Sequence, residues 1–443
     1  MKEVALGYTA EMARTEASRC LSCPTAPCMA GCPVKIRIPA FLAKAAEGDF
    51  DSAIAIIRES SLLPGICGRV CPQEKQCQAN CTLGKALKDV GKAVAIGRVE
   101  RFCADLQRES GKQKPVAVKP PTGKKVAVIG SGPAGIAAAA DLCREGHDVT
   151  IFEAFHKPGG VLVYGIPEFR LPNHIVDVEI DNLRKMGVHF QTDCIVGKTI
   201  SISDLEADGF KGIFVGSGAG LPNFMDIPGE NLINIMSSNE YLTRVNLMDA
   251  ANPTTDTTLN PATNVMVVGG GNTAMDSVRT AKRLGAKVTL VYRRSEAEMP
   301  ARLEEVKHAK EEGIDFLTLH NPIEYIGDEK GAVCKAVLEV MRLGEPDASG
   351  RRRPEPTGET KTIDVDQVIV AIGVSPNPLV PKSVEGLELG RKNTIVVNEN
   401  MESSRHGLFA GGDIVRGGAT VILAMGDGRS AAAHMHEQLS QEQ

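Results

Sequence analysis

Two glycine-rich turns of nearly the same shape constrain this chain more than any other feature. The first sits in VAVIGSGPAGIAAAADLCREGHDVTIFE, Val126 to Glu153, and the second in VMVVGGGNTAMDSVRTAKRLGAKVTLVYRR, Val265 to Arg294. Each follows an apolar, β-rich run and precedes a helical pattern and a second strand, which is the order of a βαβ unit with its parallel strands. Further runs such as GIFVGSG and DQVIVAIG keep the same rhythm. The predicted fold class is therefore α/β with Rossmann-like dinucleotide-binding domains. Because the pattern returns, the two domains either follow one another or one is set inside the other.

The first turn reads Gly130-x-Gly132-x-x-Gly135, with Pro133 and Ala134 opening the helix. One glycine allows the tight turn, one lets backbone touch a pyrophosphate, and one lets the helix pack closely on its strand. The helix N-terminus offers unpaired N–H groups and a positive dipole end to the phosphates. Glu153 ends the second strand, where it is placed to accept the ribose hydroxyls of an adenosine. The second turn reads Gly269-x-Gly271-x-x-Ala274, with Asn272 and Thr273 at the helix start. Its second strand ends on Arg293 and Arg294, which would pair with a 2'-phosphate that an acid would repel. The first turn thus suits an adenosine with free ribose hydroxyls and the second suits NADP(H). Two such sites suggest one held and one exchanging cofactor, with a hydride passed between them.

Eight of the twelve cysteines fall between Cys20 and Cys81, in a region of helical patterning. They read Cys20-x2-Cys23-x4-Cys28-x3-Cys32-Pro33 and Cys67-x3-Cys71-x5-Cys77-x3-Cys81. Short runs closed by Cys-Pro suit iron–sulfur cubanes, where three near ligands reach one side and a fourth comes from elsewhere. Zinc is the competing reading, but the runs lack paired C-x2-C halves and no histidine lies between Cys20 and Cys81. The stretch Glu109 to Lys125, rich in Lys, Pro and Gly, reads as a linker, and Asp249 to Thr263 reads as a hinge. A net charge of -5 gives no general attraction to nucleic acid or an anionic membrane, and Arg351 to Arg353 reads as a solvated loop. The opening residues form neither a signal peptide nor a spanning helix, so a cytoplasmic location is expected.

GSGPAG, EAFHKPGG from Glu153, YGIPEFRLP and the late FAGGDIVRGGATVILAMGDGRSAA resemble the flavin site of flavoproteins with two dinucleotide-binding domains. The group most similar is the glutamate synthase small-subunit type, with the large subunit of NADH-dependent ferredoxin:NADP oxidoreductase and the amino-terminal half of dihydropyrimidine dehydrogenase. The resemblance implies a helical iron–sulfur domain over 1–118, an FAD domain over 124–248 and 366–443, and an NADPH domain over 249–365 inserted in it. It implies FAD contacts at Gly160, Val161, Arg170, Gly412 and Asp413, and a helix opened near Thr420 and Val421 beneath the isoalloxazine. It also implies two 4Fe-4S clusters: one on Cys20, Cys23, Cys28 and Cys81, the other on Cys32, Cys71, Cys77 and Glu100. Cys67 is then left over, and Cys103, Cys143, Cys194 and Cys334 are packing residues.

Together these readings give an oxidoreductase in which NADPH delivers a hydride to FAD and single electrons leave through the clusters, or the reverse. No acid–base catalyst is needed. The chain shows no site for a final acceptor, so a protein partner is expected: a glutamate synthase large subunit, the small subunit of a bifurcating ferredoxin:NADP oxidoreductase, or ferredoxin itself. A thioredoxin-reductase-like disulfide reductase is the rival enzyme class, but it needs a Cys-x-x-Cys in the NADP domain, where Cys334 stands alone. A non-enzymatic nucleotide-sensing module is the third reading.

Overall fold

The computed structural model describes residues 2–111, 116–348 and 350–441. Residues 112–115 of the expected linker lie outside the described residues. The chain divides into two compact units, Met1–Val163 with Glu168–Ala219 and Pro376–Gln443, and Tyr164–Pro167 with Gly220–Ser375.

In the first unit the amino-terminal hundred residues form short helices, chiefly Ala10–Ser18, Ile38–Glu47, Phe50–Arg58, Pro64–Val70 and Ile96–Glu109. Local chemistry sets their ends. Thr9 Oγ1 accepts from the Met12 amide at 3.2 Å and Asp49 Oδ1 from the Ser52 amide at 3.1 Å, each satisfying an orphan donor of a first turn. Gly48 closes Ile38–Glu47 with φ +84°, a left-handed conformation that side chains resist. Ile38, Phe41, Leu42, Ile54, Ile57 and Val99 are the buried stripes of these helices, and they form one apolar core with several of the cysteines. Pro64–Val70 and Ile96–Glu109 cross almost in backbone contact, since a Cβ on Gly68 would lie 2.7 Å from the Arg101 amide nitrogen.

The rest of this unit is built on a parallel sheet in the order Leu408–Ala410, Phe210–Val215, Lys125–Ile129, Asp148–Phe152, His189–Gln191. The late strand Leu408–Ala410 rejoins the first sheet beside Phe210–Val215 (Phe409 opposite Phe214), so the second dinucleotide-binding fold is an insertion, as the resemblance implied. The helix Pro133–Arg144 packs on the 21-residue helix Val421–Gln441, and a Cβ on Gly428 would lie 2.2 Å from the Ala134 carbonyl oxygen.

The second unit holds another parallel sheet, in the order Ile235–Ser237, Gln367–Val370, Asn264–Val268, Lys287–Tyr292, Asp315–Thr318. It also holds an antiparallel sheet of His320–Gly327, Val333–Pro346 and Arg352–Asp364. The division differs here from the 249 and 365 boundaries read from the sequence. Ile235–Ser237 pairs with Gln367–Val370, which pairs in turn with Asn264–Val268, and Tyr241 and Leu242 sit in this unit's core. A parallel strand buried on both faces reads the same in either sheet, so its pattern cannot say which one it joins. Arg352 and Arg353 are likewise in a strand rather than a loop; both faces of that strand are exposed, and no apolar alternation marks it. Among the described residues no helix is long and apolar enough to cross a membrane.

Candidate dinucleotide and cluster sites

The three glycines of the first turn have three different surroundings. Gly130 has φ +96°, and a Cβ there would meet the Gly216 carbonyl oxygen at 2.7 Å. Gly135 lies against Gly130, its Cβ position 1.9 Å from the Gly130 oxygen. At Gly132 the Cβ position has no atom within 4 Å, and this residue heads the helix Pro133–Arg144 with no side chain capping it. Two glycines are thus required by packing, and the third leaves the helix N-terminus open, an arrangement that suits an anion.

Glu153 is buried at the end of its strand, and the turn itself uses part of its carboxylate. Oε2 accepts from the Ser131 amide at 3.0 Å and from the Ser131 hydroxyl, and Oε1 accepts from the Phe155 amide at 2.9 Å. The Ser131 hydroxyl also accepts from the Gly159 amide at 2.8 Å. Gly160, with φ +55°, presses on the turn, its Cβ position 2.9 Å from Gly132 Cα. Ser131 is a binding-loop organiser that sequence reading missed, because it occupies a variable place in the glycine pattern. Val161 opens the short helix Val161–Tyr164 and is 37% exposed; Arg170 is partly buried.

The GGD motif closes on the same turn. A Cβ on Gly412 would lie 3.1 Å from Ala134 Cβ. The Gly412 amide donates to Asp427 Oδ2 at 3.0 Å, and Arg416 makes two 2.7 Å bonds to the same buried carboxylate. Asp413 begins a four-residue helix and accepts from the Ala419 amide at 3.0 Å. Burial, helped by the nearby Asp427 and opposed by the Ala419 amide, raises its pKa to about 6. Thr420 and Val421 follow at the head of the long helix, where Thr420 O accepts from the Ala424 amide.

In the second unit Gly269 has φ +140° and a Cβ position 2.2 Å from the Ala371 carbonyl oxygen, while Gly271 again has nothing within 4 Å. Ala274, in the third place of the pattern, is fully buried. Asn272 Oδ1 accepts from the Arg302 amide at 2.9 Å, and Thr273 is exposed one residue on. Arg293 is exposed. Arg294 is buried, with its Nε lacking any hydrogen-bond partner. An unsatisfied guanidinium nitrogen beside a glycine turn fits a bound phosphate. Arg302 was missed, because its backbone reaches Asn272 from 30 residues away.

The cysteines gather as two sets. Cys20, Cys23, Cys28 and Cys81 line one cavity with Leu21, Ile38, Leu42 and Thr82. Cys23 Sγ lies 3.3 Å from Thr82 Oγ1. Burial, then the neighbouring Cys20 and Cys81, pushes the Cys28 thiol up to about 11. Cys32, Cys71 and Cys77 form the second, buried set. Burial raises Cys32, with Glu100 and Cys71 adding to it. Cys77 is raised well above its ordinary value by burial and then by Cys71, Glu100 and Cys32. Glu100 faces inward, four residues after Ile96 and three before Cys103 on the buried side of its helix. Its Oε1 has no hydrogen-bond partner, and burial alone raises its pKa to about 8. Thiols and a carboxyl that crowd together without a cation form a donor set suited to a positively charged centre. Among the described residues no group of three or more His, Cys, Asp and Glu is arranged to hold a single metal ion. Cys67 is buried next to the second set, and Cys334 is the only cysteine of the second unit.

The pyridine nucleotide-disulphide oxidoreductase family matches residues 124–428, and the dihydropyrimidine dehydrogenase domain II, 4Fe-4S cluster family matches residues 1–112. In fold the chain is similar to FprA of Mycobacterium tuberculosis in complex with NADPH, with TM-score 0.61 and 19% identity over 73% of this chain and 85% of that one. Lactococcus lactis thioredoxin reductase gives TM-score 0.56 and 20% identity over 72% of this chain and 99% of that one. The class is therefore that of pyridine-nucleotide flavoprotein oxidoreductases carrying an iron–sulfur domain.

Within it, the chain belongs to the family of the glutamate synthase small chains. It is 36% identical to the glutamate synthase [NADPH] small chain of Azospirillum brasilense over 98% of this chain and 90% of that one. The Escherichia coli small chain is also 36% identical, over 96% and 91%. Other relatives are longer: the chain spans 66% of the Escherichia coli oxidoreductase AegA and 60% of the NADP(+)-dependent formate dehydrogenase subunit beta of Moorella thermoacetica, each at 37% identity.

Proposed function

We propose that this chain exchanges electrons between NADP(H) and a partner protein. Bound FAD and two 4Fe-4S clusters would supply the chemistry that converts a hydride pair into single electrons. The observation that carries this reading is the direct packing of the cysteine module on the helix that follows the GGD motif. A Cβ on Gly426 would lie 3.2 Å from Val34 Cγ1, two residues after Cys32. The Leu62 amide lies 3.3 Å from Met425 Sδ, and Arg429 Nη1 donates to the Glu59 and Ser60 carbonyls at 3.1 and 2.6 Å. The segment that begins two residues after Cys32 therefore touches the helix expected to lie under the flavin ring.

In this reading the amides around Gly132 bind the flavin pyrophosphate, Glu153 takes the adenosine ribose, and Asp413 holds the ribityl-pyrophosphate portion. Gly160, Val161, Arg170, Thr420 and Val421 complete the flavin contacts. Gly271, Asn272 and Thr273 receive the NADPH pyrophosphate, and Arg293 and Arg294 its 2'-phosphate. Cys20, Cys23, Cys28 and Cys81 hold one cluster, and Cys32, Cys71, Cys77 and Glu100 the other. The relatives named "small chain" and "subunit beta" favour a partner that is another subunit of a multi-subunit enzyme. A chain of this kind would work in the cytoplasm.

Anaerobic purification tests the reading: flavin, iron and acid-labile sulfide should co-purify, and NADPH should bleach the flavin band. Glu100→Ala should lose or alter one cluster's iron and its EPR signal while keeping flavin, and Glu100→Gln should restore part of it. Absence of flavin and sulfide would overturn the assignment, and unchanged iron and EPR in Glu100→Ala would remove Glu100 from the ligands.

A further inference from the structure

Beside the first cysteine set lies a surface whose charge opposes that of the whole chain. Residues 81–98 carry Lys85, Lys88, Lys92 and Arg98 against the single acid Asp89, in a protein of net charge -5. Lys85, Lys88 and Lys92 are exposed. Among the described residues Lys85 Nζ reaches Asn80 Oδ1, at 3.3 Å, and Lys88 and Lys92 form no ion pair. Three apolar side chains belong to the same region: Leu21 is 57% exposed, Leu87 49% and Val90 37%.

This surface is tied directly to the cysteines. Lys85 follows Cys81 by one helical turn, its amide donating to the Cys81 carbonyl at 3.0 Å. Leu21 and Cys81 line the same cavity. Arg19, next to Cys20, donates to the Lys92 carbonyl at 2.6 Å and is itself paired with Glu16. Lys88 has φ +53°, a left-handed conformation in which glycine or asparagine is the cheaper choice at a helix end. A lysine there is not explained by the local fold.

Resting on the proposed electron-transfer reading, we infer that the surface formed by Leu21, Leu87, Val90, Lys85, Lys88 and Lys92 is the docking site for an acidic electron-carrier protein. Exposed lysines close to exposed apolar side chains would steer an acidic partner, and the leucines and valine would hold it once it arrives. The predominantly acidic remainder of the chain repels the same partner, so orientation is selected as well as encounter. For each NADPH oxidised to NADP+ and a proton, two electrons leave, and two one-electron carrier molecules are each reduced once.

The test uses the full chain with its flavin and iron, and a small acidic ferredoxin as probe. Binding is measured by calorimetry, electron transfer by ferredoxin reduction with NADPH, and a neutral quinone serves as a second acceptor. Ferredoxin should bind, with affinity falling steeply as salt rises, and cationic cytochrome c should not compete. Lys85→Gln, Lys88→Asn and Lys92→Gln together should weaken ferredoxin binding about tenfold or more and flatten the salt dependence, with iron content and NADPH-to-quinone turnover unchanged. Leu87→Ser alone should weaken binding without changing the salt slope. Wild-type affinity in the triple variant, salt-insensitive binding, or a preference for cytochrome c would overturn the docking site. Loss of NADPH-to-quinone turnover in fully loaded wild type would instead overturn the electron-transfer reading beneath it.

Discussion

Gly135 lies so close to Gly130 that a Cβ on it would come within 1.9 Å of the Gly130 carbonyl oxygen, whereas a Cβ on Gly132 would have nothing within 4 Å. The same residue type thus does two separable jobs in one turn. Gly135→Ala must displace backbone and should cost about 1–3 kcal/mol of stability together with flavin. Gly132→Ala, at φ -70° and a helix N-cap, should cost under about 1 kcal/mol yet place a methyl where the pyrophosphate must approach. Thermal midpoint and flavin content, measured side by side, check this. If Gly132→Ala retains stoichiometric flavin, the close approach does not occur there.

The contrast also shows what a linear reading can and cannot reach. Glycine spacing, the acid at Glu153 and the arginines at 293 and 294 were legible because a dinucleotide site needs them at fixed offsets. The inward turn of Glu100 was legible only through resemblance, since a charge at a helical position is ordinarily a solvated one. Ser131, Asp427 and Arg302 were not legible, because their roles depend on partners brought in by tertiary structure. Gln367–Val370 was read as an apolar run, but it and Ile235–Ser237 fell outside the 249 and 365 boundaries, because burial on both faces leaves no signature of which sheet a strand joins.

Glu3 makes the amino-terminal arm part of the cysteine module. It pairs with Arg69 at 2.8 Å and Arg101 at 2.9 Å, and the Arg69 side chain is only 3% exposed. The next residue continues the anchor, its Val4 amide donating to the Phe169 carbonyl at 2.9 Å. Glu3→Ala leaves two buried guanidinium groups with Asp105 as their remaining shared carboxylate, which should cost about 1–3 kcal/mol. Differential scanning calorimetry should show a lower midpoint, with iron released on heating earlier than in wild type. An unchanged midpoint would mean that Asp105 suffices.

Asp413 predicts a pH dependence with a definite sign. Burial raises its pKa in the folded chain from an ordinary 3.8 to about 6. The fold therefore prefers the protonated carboxyl. Its stabilising contribution is complete below about 3.8 and is lost as pH rises through about 6. At pH 7 flavin-free wild type should be less stable than flavin-free Asp413→Asn by about 2–3 kcal/mol, with the gap closing as pH falls towards 4. Urea midpoints of both proteins across that range measure it. A gap that widens on acidification would show that the carboxylate, not the acid, is the favoured form.

Arg293 and Arg294 differ in burial, and that difference divides their roles experimentally. Arg293 is exposed, so Arg293→Ala removes a charge without disturbing packing. Arg294 is buried with Nε unsatisfied, and the proposed 2'-phosphate would supply the missing partner. One charge-assisted hydrogen bond to a 2'-phosphate contributes about 1.5–3 kcal/mol, which is a factor of about ten to a hundred in binding. Arg293→Ala should raise KM for NADPH at least about tenfold. Arg294→Lys, keeping the charge but losing the planar fork, should also raise KM for NADPH, and with it leave a buried ammonium that lowers stability. Both variants should oxidise NADH as wild type does. The ratio of kcat/KM for NADPH to that for NADH is the measurement, and equal losses with both nucleotides would show that these arginines support the strand end rather than read the phosphate.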